Sequence, residues 1–267
     1  MANNKNASDL VTMSIPSGHP HVAVFTLNRP KAMNAVNGNV SATLESLLET
    51  FEADDALWVG IICSAVKRVF CAGADLKAIS KGERIETKKG GFAGIVKFPR
   101  TKPLIAAVDG AALAGGCEIV LSCDLVVASH ASSFGVPEVK RSLIPAAGGL
   151  FRLPAKLPRA VAMEMILTGD PISADRAYAL GFVNRVVRPG TAVESALALA
   201  DRICENAPLA VREAKVQVDK TRLEDDEAAF QRSTEGMIRL FQTEDFKEGP
   251  RAFIEKRKPR WTGKSNL

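Results

Sequence analysis

The chain alternates short apolar segments with glycine-containing turns and segments of helical periodicity. Several runs are rich in β-branched and other apolar residues, as buried strands are: 21–27, 58–63, 69–71, 104–108 and 125–128. Residues 40–51 place Leu44, Leu48 and Phe51 at helical spacing and predict an amphipathic helix. Because strand, glycine turn and helix recur at irregular intervals, we predict an α/β fold with helices packed outside the strands.

The second half of the chain has a different pattern. A serine at 173 predicts the start of a helix over 173–180, and residues 182–187 predict a last strand. Beyond that point the periodicity predicts four helices, with breaks at 206–208 and 249–250: 192–206, 208–219, 223–241 and 243–256. We therefore predict a core over residues 1–195 and a helical region over 196–267. Residues 81–91 carry charges and a glycine pair without periodicity, which predicts a mobile surface loop.

Composition limits the cellular setting. The 267 residues are 46% hydrophobic and 24% charged, as in a globular protein with a sizeable core. No apolar run approaches the ~20 residues of a membrane span, and the N-terminal residues lack the apolar segment of a signal peptide. Five cysteines without paired spacing fit a reducing compartment, so we expect a cytoplasmic protein. The net charge of +5 suits an anionic ligand but equally suits a solvated surface.

Several common chemistries have no matching motif. The three histidines (19, 21 and 130) have no metal-ligand spacing, and the cysteines form no Cys-x-x-Cys pair. The sequence contains neither a Gly-x-Ser-x-Gly elbow nor a Gly-x-Gly-x-x-Gly fingerprint. Zinc, serine-hydrolase and dinucleotide chemistry are therefore disfavoured, and we expect no metal.

Two glycine turns and two glutamates remain as candidates. The turns CAGA (71–74) and AGG (114–116) each follow a predicted strand and open a helix. Two backbone N–H groups from such turns, aimed at one point, would form an oxyanion hole. Glu118 lies in the first turn of the second helix, and Glu138 follows a proline. Taken alone, each glutamate is more often structural: Glu118 as an acid favoured by the helix dipole, and Glu138 as a surface residue after a proline turn.

The combination of motifs resembles a known family. The sequences FCAGADLK (70–77), AGGCE (114–118), FGVPE (134–138) and IPAAGG (144–149) have the order and spacing of the crotonase (enoyl-CoA hydratase/isomerase) superfamily. The similarity extends from residue 28 to residue 256. GGCE and PE resemble the hydratase branch, whereas residues 248–257 and 260–263 resemble carnitinyl-CoA dehydratase-like members.

The resemblance implies a fold, a substrate and an assembly. The fold is a crotonase-type spiral of repeated ββα units with a C-terminal helical trimerisation region. The substrate is an acyl-CoA thioester, so coenzyme A is part of the substrate and no separate cofactor is expected. The expected assembly is a homotrimer or a homohexamer built as a dimer of trimers, with no membrane partner.

The resemblance also implies residue roles. The N–H groups of Ala74 and Gly115 hold the thioester oxygen, Glu118 activates water and Glu138 supplies the proton to the α-carbon. The N–H of Ala146 helps to hold the water. Eight residues match positions that bind coenzyme A, the last two sometimes from a neighbouring subunit: Lys31, Ala32, Ala72, Asp75, Leu76, Lys77, Phe253 and Lys256.

Three departures from the family pattern leave the substrate and the direction of reaction open. Ala114 and Ala146 each replace a glycine, and Lys140 and Arg141 would lower the pKa of Glu138 if they lay close to it. The main hypothesis is an enoyl-CoA hydratase that adds water in the syn sense. The alternatives are a carnitinyl-CoA or other 3-hydroxyacyl-CoA dehydratase, an enoyl-CoA isomerase that uses one glutamate, and an RNA-binding homologue. The sequence has no basic run interleaved with aromatic residues, which disfavours the last.

Overall fold

The computed structural model describes residues 10–220, 235, 238–240 and 242–264. Its strands are β1 (Val11–Ser14), β2 (Val22–Leu27), β3 (Val59–Ser64), β4 (Val69–Cys71), β5 (Glu86–Thr87), β6 (Gly91–Phe92), β7 (Leu104–Val108), β8 (Ala111–Leu113), β9 (Leu125–Ser129), β10 (Ser133–Gly135), β11 (Ile172–Ser173) and β12 (Arg185–Val187). Its helices are α1 (Gly38–Ala53), α2 (Leu76–Ser80), α3 (Gly115–Ser122), α4 (Gly149–Lys156), α5 (Arg159–Thr168), α6 (Ala174–Ala179), α7 (Ala192–Cys204), α8 (Pro208–Lys220) and α9 (Glu244–Ile254).

A six-stranded sheet of order β1-β2-β3-β7-β9-β12 forms the centre of the molecule. All its pairings are parallel except that of β1 with β2. Side chains on each strand alternate between two apolar layers: Phe25 and Leu27 belong to the larger core with α1, whereas Val22 and Val24 pack towards α7. Burial on both faces explains why these strands are continuous apolar runs in the sequence.

A second sheet, of order β11-β10-β8-β4, carries the turns that the sequence singles out. Each repeating unit places one strand in the large sheet and the next in the small sheet before its helix: β3-β4-α2, then β7-β8-α3. The strands β4, β8 and β10 are parallel neighbours, so their carboxyl ends meet at one edge. The segments that follow them contain Ala74, Gly115 and Glu138. The predicted α/β class is confirmed.

The predicted loop over residues 81–91 is wrong in part, because the segment ends in the β5–β6 hairpin. Glu45 on α1 accepts hydrogen bonds from the Thr87 hydroxyl (2.5 Å) and the Gly90 N–H (2.5 Å). A Cβ on Gly90 would lie 2.1 Å from the Gly94 carbonyl oxygen, so the glycine pair permits close packing against the core. A buried glycine and an anchoring carboxylate on a distant helix have no periodic signature in the sequence.

The C-terminal predictions hold in outline. α7, α8 and α9 are present, but the predicted break at 249–250 is wrong because Pro250 lies inside α9. The helix predicted over 223–241 falls mostly outside the described residues. The strand predicted over 182–187 is limited to β12, and the helices α4 and α5 were not predicted. The proposed domain boundary at 195–196 falls within α7, whose alanines pack against the large sheet.

Two acidic residues of α9 hold residues 257–263 against that helix. Glu248 accepts hydrogen bonds from the Arg257 guanidinium (2.6 Å) and the Arg260 N–H (2.7 Å). Asp245 accepts hydrogen bonds from the Thr262 N–H (2.7 Å) and the Gly263 N–H (3.0 Å). These contacts hold the pKa of Glu248 well below its usual range. We call residues 257–263, which these contacts hold against α9, the terminal strap. No described helix is both long and apolar enough to cross a membrane.

The turn between β8 and α3 contains backbone strain. Ala114 has φ 51° and ψ −130°, a conformation that L-residues other than glycine rarely adopt. Its methyl group lies next to Gly73, where an added Cβ would be only 2.8 Å away. The two glycine turns are thus packed directly against each other, with an alanine in a conformation suited to glycine.

We expect Ala114→Gly to raise the free energy of unfolding by about 1 kcal/mol. Glycine would release backbone strain of ~1–3 kcal/mol in the folded state. This gain is larger than the ~0.4–1 kcal/mol lost because glycine gives the unfolded chain more conformational entropy. The matched control is Ala112→Gly on β8, which should be destabilising because that buried alanine lies in a regular strand. Chemical denaturation measures both variants. Equal destabilisation by the two substitutions would contradict the assignment of strain to Ala114.

Candidate active site

Glu118 is a buried carboxylate held by the start of another helix. It lies in the first turn of α3 and is only 3% exposed. Its Oε1 accepts a hydrogen bond of 2.9 Å from the N–H of Gly149, the first residue of α4. A Cβ on Gly149 would lie 3.2 Å from that oxygen, so glycine lets the backbone approach the carboxylate. The IPAAGG motif therefore positions Glu118.

The surroundings of Glu118 act on its pKa in opposite directions. Burial raises the pKa above its ordinary value, and this effect dominates. The N–H groups of Gly149 and Ala147, followed by the Arg152 guanidinium, lower it, and the charge of Glu86 raises it. The raised pKa makes the ionised form of Glu118 a stronger base than an exposed carboxylate.

Glu138 is the second carboxylate of the site. It lies in a 3-10 turn, Pro137–Arg141, directly after β10. Burial, with a smaller contribution from the charge of Glu118, raises its pKa to about 7. Its Oε2 is buried and has no hydrogen-bond partner among the described residues. A carboxyl group in this state can hold a proton near neutral pH and direct it at a bound molecule.

Lys140 and Arg141 do not lower the pKa of Glu138, contrary to the effect expected if they lay close to it. Lys140 forms an exposed ion pair of 2.5 Å with Asp170, and Arg141 donates a hydrogen bond to the Lys140 carbonyl. Neither cation is among the groups that shift the pKa of Glu138. Lys140 pairs with Asp170, 30 residues away, a contact that the linear sequence does not reveal.

The two glycine turns bring backbone donors together. An ideal Cβ on Gly73 would lie 3.1 Å from the Gly115 nitrogen, so the segment that leads to Ala74 touches the start of α3. Across residues 10–220 and the described C-terminal segments, neither the Ala74 nor the Gly115 N–H donates to a backbone or side-chain acceptor. At the N-terminus of a helix such a group attracts negative charge. Two free N–H groups here can hold an anionic oxygen.

Close packing at the start of α3 depends on glycine and on one aromatic ring. A Cβ on Gly116 would lie 2.2 Å from the Cys71 carbonyl oxygen, so a side chain there would separate α3 from the first glycine turn. A Cβ on Gly115 would lie 2.4 Å from the Phe92 ring. Phe92 on β6 therefore packs directly on the residue whose N–H is a candidate donor. The sequence motifs did not identify this contact.

Residues predicted to bind coenzyme A form one surface around the first glycine turn. Lys31 and Ala32 lie in a 3-10 turn, and the Ala72 N–H donates to the Met33 carbonyl beside it. Arg29 also binds Asp75 (2.6 Å), which ties the two segments together. Leu76 and Lys77 on α2 are exposed. Six of the eight predicted residues are thus neighbours: Lys31, Ala32, Ala72, Asp75, Leu76 and Lys77.

The other two predicted residues lie on the C-terminal segment. Phe253 is part of α9, but its side chain is outside the described part of the structure. Lys256 follows α9 and is exposed. Asp245 of α9 contacts the terminal strap through Thr262 and Gly263. A role for Phe253 and Lys256 in binding stays a prediction.

The N–H predicted to hold water is already engaged. Ala146 donates a hydrogen bond of 2.8 Å to the Ile144 carbonyl, so its predicted role stays a prediction. The N–H groups that act on Glu118 belong instead to Ala147 and Gly149. Both lie in the motif noted from the sequence, but only the folded turn shows which N–H points inward.

A separate cavity of about 1060 Å³ lies at the opposite end of α3, under α8. Leu121 and Phe151 contribute to its lining, but neither glutamate does. Among the described residues, no three histidine, cysteine or acidic side chains are placed to hold a metal ion. This cavity is therefore distinct from the site that contains the two glutamates.

Known proteins match this sequence over nearly its whole length. The model of the enoyl-CoA hydratase/isomerase family matches residues 18–264. Carnitinyl-CoA dehydratase from Proteus mirabilis is 40% identical over 250 residues, covering 91% of this chain and 95% of its own length. Short-chain-enoyl-CoA hydratase from Clostridium acetobutylicum is 39% identical over 241 residues, covering 89% and 92%.

Solved structures share the fold over the same extent. Enoyl-CoA hydratase EchA1 from Mycobacterium marinum superposes with a TM-score of 0.91 at 45% identity, covering 96% of this chain and 100% of that one. The spiral of ββα units expected from the motifs is therefore present. With its relatives named as hydratases and dehydratases, the chain is a lyase-type enzyme and belongs to the enoyl-CoA hydratase/isomerase family, the crotonase superfamily.

Proposed function

We propose that this enzyme catalyses the reversible syn addition of water to a 2-enoyl-CoA. The observation that carries the proposal is the contrast between two neighbouring glutamates. Glu118 is fixed by a backbone hydrogen bond, whereas Glu138 has a buried oxygen without a partner and a pKa of about 7. Two carboxyl groups whose environments differ in this way can divide the roles of base and acid.

The reaction would begin with the thioester carbonyl between the N–H groups of Ala74 and Gly115. Their dipoles withdraw electron density along the conjugated double bond, which makes the β-carbon electrophilic. Negative charge then develops on the carbonyl oxygen, where one such donor typically contributes ~3 kcal/mol in the transition state. The Gly115 N–H also lies at the N-terminus of α3, where the helix dipole further stabilises negative charge on the carbonyl oxygen.

Protons would move through the two glutamates. Glu118 takes a proton from water as the oxygen bonds to the β-carbon. Glu138 gives its proton to the α-carbon as the enolate collapses. The substrate gains one water molecule, Glu118 ends protonated and Glu138 ends ionised, and exchange with solvent restores both. Dehydration follows the same steps in reverse.

Dehydration of a 3-hydroxyacyl-CoA is the second candidate. Its support is the similarity to carnitinyl-CoA dehydratases, at 40% identity over nearly the whole chain. The site chemistry is the same in both directions, so substrate supply decides which one operates. An isomerase that uses a single glutamate is distinguished by experiment, because one of the two glutamate variants would then keep full activity.

The cysteine content and the family resemblance support inferences about location, cofactor and assembly. We infer a cytoplasmic enzyme with no cofactor beyond the coenzyme A of its substrate. We also infer a homotrimer or homohexamer, on the strength of the family resemblance of the C-terminal helices. In such an assembly Phe253 and Lys256 could complete the coenzyme A site of a neighbouring subunit.

Glu118→Gln and Glu138→Gln should each reduce kcat for hydration of crotonyl-CoA by ~10²–10⁴-fold. Glutamine has nearly the same shape but can neither accept nor deliver the transferred proton. Loss of absorbance of the conjugated thioester measures the rate. Glu194→Gln, an exposed carboxylate of α7, is the control and should keep full activity. Undiminished hydration by both active-site variants would refute the assigned roles.

The pH dependence of kcat/KM should be bell-shaped. Glu138 must be protonated to act as the acid, so activity should fall as pH rises through about 7. Glu118 must be ionised to act as the base, so activity should also fall at acid pH, as Glu118 takes up a proton. Initial rates between pH 5 and 9 with a buffer of constant ionic strength test this. A flat profile over that range would argue against acid–base catalysis by these groups.

Lys31→Ala and Lys256→Ala should raise KM for an enoyl-CoA by roughly 5-fold each and leave kcat nearly unchanged. An exposed ammonium–phosphate pair contributes up to about 1 kcal/mol. The thioester of N-acetylcysteamine, which lacks the nucleotide and its phosphates, should show no such change. Arg188→Ala removes an exposed cation elsewhere and serves as the control. Equal losses on both thioesters would contradict a role in binding the nucleotide part.

A further inference from the structure

The turn that holds Glu118 is itself bound by one arginine. Residues 147–149 face Glu118 with two N–H groups, those of Ala147 and Gly149. Arg152, near the start of α4, donates from Nη1 to the Ala147 carbonyl (3.3 Å). The guanidinium therefore binds a carbonyl of the same short segment whose N–H groups act on the glutamate.

Glycine at position 148 lets the guanidinium lie over this turn. Gly148 has φ 124°, a left-handed conformation that favours glycine. A Cβ there would overlap Nη1 of Arg152. The backbone N–H of Arg152 also donates to the Gly148 carbonyl (2.9 Å). Close contact between the arginine and the turn therefore depends on the absence of a side chain at this position.

The same guanidinium reaches a second segment. Its Nη2 donates to the Val96 carbonyl (2.6 Å). Val96 in turn donates its N–H to the Phe92 carbonyl (3.4 Å), and the Phe92 ring packs on Gly115. Arg152 therefore links the turn that holds Glu118 to the segment that packs on a candidate oxyanion donor.

Arg152 also brings positive charge to a site rich in carboxylates. Its charge lowers the pKa of Glu118, against the effect of burial. The other charged groups that face Glu118 are Glu86, whose charge raises the same pKa, and Glu138, whose own pKa is raised by the charge of Glu118. A guanidinium keeps its charge throughout the pH range in which enzymes work. The arginine is thus a permanent electrostatic counterpart of the base.

We propose that Arg152 is a positioning residue, which holds the 147–149 turn against Glu118 and supplies the positive charge that the carboxylate needs nearby. The inference rests on the proposed function, because it concerns the base of that reaction. Arginine suits both tasks, since its planar fork donates to two carbonyls at once and cannot lose its charge. Arg152 acts through Glu118 and not on the substrate.

Two substitutions separate the charge of Arg152 from its hydrogen bonds. Glutamine can still donate to one carbonyl but has no charge, whereas lysine keeps the charge and loses the planar fork. Arg152→Gln should lower kcat for hydration of crotonyl-CoA roughly 10–100-fold and change KM less than about 2-fold. It should also move the acidic limb of the kcat/KM profile to higher pH, because loss of the positive charge raises the pKa of Glu118. Arg152→Lys should lower kcat roughly 3–10-fold and leave the acidic limb in place.

A double variant tests whether Arg152 acts through the base. When Glu118→Gln has already removed the carboxylate, adding Arg152→Gln should lower kcat by less than about 2-fold further.

Lys156→Gln is the matched control. Lys156 lies one turn further along α4 and donates to the Cys123 carbonyl (2.8 Å), just beyond the end of α3. This variant removes one positive charge from the same helix and should change neither kcat nor the pH profile. Thermal unfolding of every variant reports whether it folds.

The outcomes separate this inference from the proposed function. An acidic limb that does not move in Arg152→Gln, or that moves equally in Lys156→Gln, would overturn the role of Arg152. A full further loss of kcat in the double variant would also overturn it, because the arginine would then act independently of Glu118. If neither Arg152 variant folds, its role is structural and the inference fails. If the unmodified enzyme hydrates neither crotonyl-CoA nor a longer 2-enoyl-CoA, the proposed function itself fails.

Discussion

Parallel pairing in the small sheet is the constraint on which the site depends. β4, β8 and β10 run in the same direction as neighbours, so the chain leaves all three at one edge. Residues 74, 115 and 138, far apart in sequence, are thereby brought together without a dedicated loop. The approach is so close that glycine is required at Gly116, where a side chain would meet the Cys71 carbonyl. Strand register and glycine placement together set the positions of the donors.

The electrostatics of the site follow from burial more than from charge pairing. Both glutamates have raised pKa values because they are removed from water. They differ in what surrounds them: Glu118 receives backbone N–H groups, whereas one oxygen of Glu138 receives none among the described residues. The fold thus distinguishes two chemically identical side chains by the polarity of their immediate neighbours. That difference allows one to act as the base and the other as the acid.

Much of this arrangement could be predicted from the sequence. Buried parallel strands are apolar runs, and glycine turns that open helices have a local signature, so β2, β3, β4, β7 and β9 and the two glycine turns were predicted. Contacts between distant segments have no such signature. The hairpin that carries Glu86 and Phe92 is held by Glu45 on α1, and its charged residues indicated a surface loop. Likewise Pro250 is accommodated within α9, a helix fastened through Glu248 and Asp245. The site could be predicted where motifs are local, and could not where it depends on a neighbour distant in sequence.

The terminal strap places both tryptophans of the chain at one junction. Trp261 donates its indole N–H to the Glu205 carbonyl at the end of α7 (2.9 Å), and Gly263 packs over the indole of Trp58. Trp58 in turn stacks on His21, with ring centroids 3.6 Å apart. Intrinsic fluorescence excited at the tryptophan band therefore arises at the contact between strap and core. This optical signal reports whether the end of the chain is docked, independently of events at the two glutamates.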